Sequence, residues 1–286
     1  MSPSQVTVFC PGHISGYFKP VITGDPKTSG SCGGGIVINS GVTVVATRAE
    51  ETTIQVLKTS RDTSQVVSDN SPVIKHLMQN LGLTASIKTF CTLPLSSGYG
   101  LSAAALLATV HAVNQLFDLG LSPEKCAMQA HQVEVAFRTG LGDVAACQGG
   151  GWVVRKGPGI MAEILRYKDD QTIHAITLSP LKTESVLSSP EMMNRITDAF
   201  PKTDPDTLIG FFACSRSFAE ASGLISPDIE KVLIDCDANN IPVSMTMLGN
   251  GIFALGERAK DLLNRYGETY SLQISHTGPR IMEVLP

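Results

Sequence analysis

The chain's 286 residues suffice for one large domain or two ordinary ones. Hydrophobic residues account for 43% and charged residues for 17%, a balance that buries a real core and excludes a disordered chain. The net charge of −4, the pI near 5.9 and the lack of any Lys/Arg run longer than two argue against nucleic acid or an anionic membrane as partner.

The seven cysteines contain no C-x-x-C pair, and an odd, scattered set reads as reduced thiols rather than a disulfide frame or zinc site. The first residues, M-S-P-S-Q-V-T-V-F-C, lack the basic segment and long apolar stretch of a secretory leader. No window approaches the ~18 apolar residues of a membrane span. A soluble, cytoplasmic protein is expected.

Residues 6–10 form a short β-type run that Pro11-Gly12 should stop, with 13–18 following as a loop or bent strand. A glycine cluster, G-S-C-G-G-G, covers 30–35. Behind it, 36–39 and 42–47 read as paired strands with Ser40-Gly41 as their turn. Residues 52–59 alternate as a strand, 73–81 form a modest helix, and 85–92 return to a β pattern.

The next stretch, P-L-S-S-G-Y-G-L-S-A-A-A-L-L-A, carries the strongest signal. Its first part, 94–100, is small and flexible; from Ser102 the chain turns Ala- and Leu-rich, with no Gly or Pro before Gly120, and predicts a buried helix. Ser102 stands where an N-cap belongs. A glycine loop feeding a helix N-terminus is an anion site, since free amides and the helix dipole both point at it. A dinucleotide fold is a poor rival: G-x-G-x-x-A is present, but no second strand ending in an acid follows, and no G-x-x-x-x-G-K-[ST] exists.

Ser122-Pro123-Glu124 opens another helix with Ala127, Ala130, Val133 and Phe137 as its apolar face. Glu134 falls beside that face, and a carboxylate there needs a partner or a function. The helix ends at Thr139-Gly140-Leu141-Gly142-Asp143, and Gly149 to Gly151 close the next short segment. Strands are expected over 152–155 and 162–166. The polar stretch 167–171 is the natural boundary, which divides the chain into domains 1–168 and 169–286. Beyond it come a strand (173–178), helices over 189–200, 205–222 and 226–239, strands over 243–247 and 252–255 flanking Leu248-Gly249-Asn250-Gly251, a helix (257–266) and a strand (270–275). The irregular alternation marks an α+β second half.

The run P-x-x-x-G-x-G-x-S-A-A, with a strand before it and a small-residue helix after it, resembles the phosphate motif of the GHMP kinase superfamily. Pro11-Gly12-His13-Ile14 resembles its first motif, and Met245 to Gly251 its third, while Thr139 to Asp143 resembles the segment bearing its catalytic aspartate. Within the superfamily the wording is most similar to the archaeal-type pantoate kinases: P-G-H-I-S-G-Y-F, G-S-C-G-G-G-I-V-I-N-S-G-V, T-G-L-G-D and M-T-M-L-G-N-G-I-F-A-L. The resemblance implies a two-domain α+β fold, ribosomal protein S5 domain 2-like at the N-terminus and ferredoxin-like at the C-terminus. It also implies ATP- and Mg²⁺-dependent phosphorylation of the small molecule pantoate, a step towards coenzyme A. A mevalonate- or homoserine-like acceptor, or an ATP-dependent decarboxylation on the same fold, remains open at this point, as does a homodimeric assembly.

The resemblance implies roles as well. Pro94, Ser96, Ser97, Gly98, Gly100, Leu101, Ser102 and Ala103 would hold the ATP phosphates, with Ser102 and Glu134 on Mg²⁺ and Asp143 as catalytic base. Several members carry lysine where this chain has His13, so His13 would orient substrate instead. Thr139, Gly249, Asn250 and Gly251 would line the substrate side. A cation should meet the acceptor's carboxylate, and Arg138 is the best placed, ahead of Lys19 and Arg280.

Overall fold

A computed structural model describes residues 2–60, 63–178 and 190–286. Two long strands dominate it: β1 (Gln5–Val21) and β2 (Gly30–Arg48) run antiparallel along nearly their whole lengths. Neither stops where the sequence signals it should. Pro11, expected to end β1, sits at a register shift, where a missing N–H costs no ladder bond. Ser40-Gly41, expected to be a hairpin turn, is the matching irregularity in β2. There a Cβ on Gly41 would lie 2.0 Å from the Cys10 carbonyl oxygen. Residues 36–39 and 42–47 are therefore parts of one strand, both paired with β1.

The remaining strands build outward from this ribbon. β2 also pairs with β5 (Ala85–Cys91) through its second half and with β6 (Trp152–Arg155) through its first. β5 runs parallel to β3 (Thr53–Ser60), which is followed by β4 (Thr63–Ser68), while β6 pairs with β7 (Ile164–Tyr167). β12 (Arg280–Leu285) returns to the free edge of β1, giving an eight-stranded sheet among the described residues. β4 and β12 were not anticipated. Both are exposed along their entire lengths, so burial left no period-two pattern to read.

Val6, Val8 and Cys10 of β1, Val42, Val44 and Ala46 of β2, and Ile87 of β5 face one side. Against them lies α2 (Leu101–Phe117), buried on nearly every side. Around it pack α1 (Pro72–Leu81), α3 (Pro123–Ala136) and the short α4 (Asp143–Cys147). Ser122 caps α3 as expected, accepting from the Lys125 amide. Ser102 does not cap α2. Gly100, at φ +62°, is the N-cap, the helix starts at Leu101, and Ser102 falls in its first turn.

After β7 a second sheet forms, antiparallel throughout, in the order β11 (Tyr270–Gln273), β8 (Thr172–Thr177), β10 (Gly251–Leu255), β9 (Val243–Thr246). Its helices are α5 (Pro190–Asp198), α6 (Leu208–Ser222), α7 (Pro227–Ala238) and α8 (Glu257–Leu263). The first matches the helix expected from 189, a residue outside the described set. The bulge at Gly16 lets α6 approach β1, since a Cβ there would come within 2.2 Å of Ser215 Oγ. Phe211 and Phe218 then meet Tyr17 across the two layers. No described helix is long and apolar enough to cross a membrane.

Leu107 on α2 is fully buried, and Ile234 on α7 is 59% exposed. Leu107→Ala should cost about 2–5 kcal/mol of unfolding free energy in urea titrations. Ile234→Ala should change it by less than about 0.5 kcal/mol.

Candidate active site

A cleft of about 560 Å³ opens where the glycine loop, the Thr139–Asp143 turn and the β1–β2 ribbon converge. Its lining falls into three chemical groups. Val56, Val73, Leu95 and Ala105 are apolar, with Ser68, Asn70 and Thr89 among them. Pro94, Ser96, Ser97, Gly98, Gly100, Leu101, Ser102 and Ala103 supply the loop and the first turn of α2. Ser15, Ser31, Arg138, Thr139, Asp143 and Arg155 are polar or charged.

The loop owes its shape to left-handed residues: Ser96 at φ +57°, Gly98 at +78° and Gly100 at +62°. That path delivers the chain to Leu101 with the free amides of the first helical turn facing the cleft. Behind the loop lies the glycine turn of residues 248–250. A Cβ on Gly249 would sit 2.4 Å from the Gly98 nitrogen, and Thr246 Oγ1 donates to the Ser97 carbonyl. Met247 and Leu248 reach the cleft. Gly249, Asn250 and Gly251, expected on the substrate side, do not line the cleft: Gly249 packs against the loop from behind, the Asn250 side chain accepts from Ser226 Oγ, and Gly251 begins β10.

Asp143 begins α4 at the rim of the cleft, its side chain 21% exposed. Its Oδ1 lies 2.6 Å from His13 Nδ1, which must be the donor because a carboxylate only accepts. Ser15 Oγ donates to the same oxygen at 3.4 Å. Burial alone would raise Asp143's pKa, but the hydrogen bonds from His13 and Ser15, with the Arg155 charge nearby, outweigh it and hold the carboxyl below its ordinary range. Asp143 is therefore an anion at neutral pH.

Arg155, on β6, is a candidate site residue that sequence reasoning missed. It is only 2% exposed and still lines the cleft. One terminal nitrogen donates to the Gly142 carbonyl at 2.7 Å, the other to Ser31 Oγ at 3.2 Å, and its Nε has no partner. Of the cations expected near the acceptor, Arg138 lines the cleft. Lys19 stacks on Phe200 and Arg280 on Phe9, and neither lines it.

The glycine cluster at 33–35 explains how these groups fit. Cβ atoms added there would lie 3.1 Å from an Arg155 terminal nitrogen at Gly33, 2.5 Å from the Tyr17 ring at Gly34, and 2.1 Å from His13 Nε2 at Gly35. At Gly33 the β1 backbone comes nearer than Arg155, with the Tyr17 carbonyl oxygen 2.3 Å from the added Cβ, while Gly34 and Gly35 each seat one side chain. Gly140 and Gly142 do the same for the turn, touching Asp143 Oδ2 and the Arg155 guanidinium.

Glu134 does not line the cleft. It is fully buried, with Oε1 accepting from the amides of Asp143 and Val144 at 3.2 Å each and Oε2 3.3 Å from His131 Nδ1. The other His131 nitrogen donates to the Ser29 carbonyl, so one proton is shared between His131 and Glu134. Among the described residues no three His, Cys, Asp or Glu side chains cluster as a metal site. Mg²⁺ needs only one or two protein oxygens beside phosphate and water. The Ser102 hydroxyl in the cleft fits that need; the Glu134 carboxylate, in this arrangement, is committed elsewhere.

A long strand pair, a buried helix opening on a glycine loop, and a carboxylate facing that loop define the class. The GHMP kinases N terminal domain model matches residues 66–151. The pantoate kinase of Methanospirillum hungatei is 52% identical over 283 residues, covering 99% of this chain and 98% of that protein. The pantoate kinase of Thermococcus kodakarensis is 27% identical, over 95% of this chain and 96% of its own. A solved structure described as a phosphotransferase related to the CoA biosynthesis pathway superposes with a TM-score of 0.82 at 24% identity, covering 97% and 98% of the two chains. The chain belongs to the GHMP kinase family.

Burial pulls His111, on α2, below the ordinary imidazole pKa. The unfolded chain then takes up the proton first, so this contribution to stability is complete above about pH 6.5 and declines as pH falls through and below that value. Circular dichroism melts should show a smaller drop in Tm between pH 7.5 and 5.5 for His111→Leu than for the parent protein.

Proposed function

We propose that the protein is a pantoate kinase, which transfers the γ-phosphoryl group of ATP to the 4-hydroxyl of (R)-pantoate and releases ADP and 4-phosphopantoate on the way to coenzyme A. The observation that carries this reading is the 52% identity to a pantoate kinase over nearly the whole of both chains. The cleft supplies matching chemistry: a phosphate cradle, an ionised carboxylate and a buried arginine lie along one surface.

Phosphoryl transfer needs positioning and charge stabilisation more than covalent steps. The amides of Leu101, Ser102 and Ala103, at the positive end of α2, bind the ATP phosphates. Val56, Val73 and their hydroxyl-bearing neighbours form the surface suited to the nucleoside. Ser102 would hold Mg²⁺ beside the phosphates, and the ion supplies neutralisation of their charge. Asp143 accepts the proton of the acceptor hydroxyl through Oδ2. Arg155, desolvated and with an unsatisfied Nε–H, meets the acceptor's carboxylate, and Thr139, whose buried Oγ1 also lacks a partner, adds a neutral hydrogen bond. Arg138 stands at the cleft's exposed side. In this arrangement residues 1–168 hold nucleotide and acceptor, and residues 169–286 supply the wall at Met247 and Leu248.

Purified protein with ATP and Mg²⁺ should release ADP when given pantoate. Turnover of mevalonate or homoserine with none of pantoate would overturn the acceptor assignment, and release of carbon dioxide from mevalonate diphosphate would make the protein a decarboxylase.

The two charged residues should separate kinetically. Asp143→Asn should lower kcat by about 10²–10⁴-fold while ATP binding, followed by calorimetry, is kept. Arg155→Lys, which loses the planar fork, should raise KM for pantoate by roughly 10- to 100-fold, as loss of a charged hydrogen bond worth about 1.5–3 kcal/mol implies.

A further inference from the structure

His13 lies within β1 and is completely buried. It does not line the cleft, although Ser15, Tyr99, Gly100 and Asp143 around it do. Ser15 Oγ lies 3.5 Å from its Nδ1, and two stronger connections of different kinds run from the histidine to the site. Its backbone amide donates to the Tyr99 carbonyl at 2.9 Å, beside the Gly100 cap of α2. Its Nδ1–H donates to Asp143 Oδ1 at 2.6 Å. The other ring nitrogen, Nε2, is buried without a partner against the seat left by Gly35.

This geometry fixes the state of the ring. An imidazolium would carry a second N–H with nothing to accept it, at the cost of burying an unsatisfied charged donor. The neutral tautomer with hydrogen on Nδ1 leaves only a lone pair unsatisfied. Burial also draws the His13 pKa below its ordinary value, against the pull of Asp143. The aspartate is therefore held by a neutral donor, and its charge is not cancelled at Oδ1. No described residue donates to Oδ2.

Resting on the phosphotransfer reading above, we propose that His13 is a positioning residue that ties the catalytic carboxylate to the phosphate loop without touching the acceptor. The imidazole fixes Oδ1, so that Oδ2 alone is presented to the acceptor hydroxyl. The amide of the same residue fixes the loop from which the phosphates are held. Donor and acceptor halves of the site are thereby set at one separation through a single residue of β1. A shift of about 1 Å in such a pair of groups is enough to cost roughly 10²-fold in rate.

The experiment compares His13→Asn, His13→Gln and His13→Leu, each verified as folded by thermal melting. Asparagine can place its Nδ2–H where Nδ1–H lies; glutamine puts its amide a bond further out, and leucine offers no donor. In assays with ATP, Mg²⁺ and pantoate, His13→Leu and His13→Gln should lose about 10²-fold in kcat, with KM for both substrates little changed. His13→Asn should recover most of that loss. A raised KM for pantoate with kcat intact would place His13 on the acceptor and overturn the proposal, as would an asparagine variant no faster than the glutamine one.

A second readout needs no acceptor. Proton NMR of the parent protein should show a far-downfield imidazole N–H signal that disappears in Asp143→Asn and in His13→Asn. Its absence from the parent protein would overturn the proposal. A parent protein that shows the signal and leaves pantoate untouched would sink the substrate reading while leaving the His13–Asp143 pairing in place.

Discussion

The site depends on how closely β2 allows other groups to approach its backbone. At Gly33, Gly34 and Gly35 the strand carries no side chains; the β1 backbone presses on the first, and Tyr17 and His13 occupy the space beside the other two. Hydrogen bonding between β1, β2 and β6 fixes the three strands at one spacing, so any side chain on those positions would have to displace another. The ring that holds Asp143 and the neighbouring Tyr17 are thus set by the ladder itself. The active site is a consequence of strand register.

Charge is arranged with similar economy. Asp143 and Glu134 both approach Gly140, close enough for the Asp143 charge to raise Glu134's proton affinity, yet they end in opposite conditions. Asp143 has a neutral histidine on one oxygen, Arg155 nearby and access to the cleft, and stays ionised. Glu134 is sealed from solvent, and burial raises its pKa against the opposing pull of His131 and the α4 amides. Two carboxylates packed around one turn are differentiated by solvent access and by what donates to them.

Much of this was legible in the sequence, for reasons that can be named. The glycine loop and α2 stood out because a Gly-rich stretch ran into a segment without Gly or Pro, and Ser122-Pro123-Glu124 announced α3 through local cap chemistry alone. Glu134 beside an apolar stripe called for a partner or a function, and it has partners in His131 and the amides of Asp143 and Val144. Local rules failed where tertiary pairing overrode them. Pro11-Gly12 and Ser40-Gly41 carry turn signals, but they fall at irregularities of one strand pair, and no local rule separates the two cases. Ser102 lost the cap to Gly100 because the loop closes through a left-handed residue there. Arg155 was invisible, as its role exists only once β6 lies against Gly33, more than a hundred positions earlier in the chain.

One consequence follows from β12. Residues 281–285 pair with residues 5–8, so the edge of the first sheet is closed by segments at opposite ends of the described chain. Contacts of such sequence separation carry the largest loop-closure entropy and form slowly. During synthesis, β1 can pair with β2 long before β12 has emerged, and its outer edge stays open through the making of everything between. The strand that carries His13 is therefore the first element of the sheet to be made and the last to be covered.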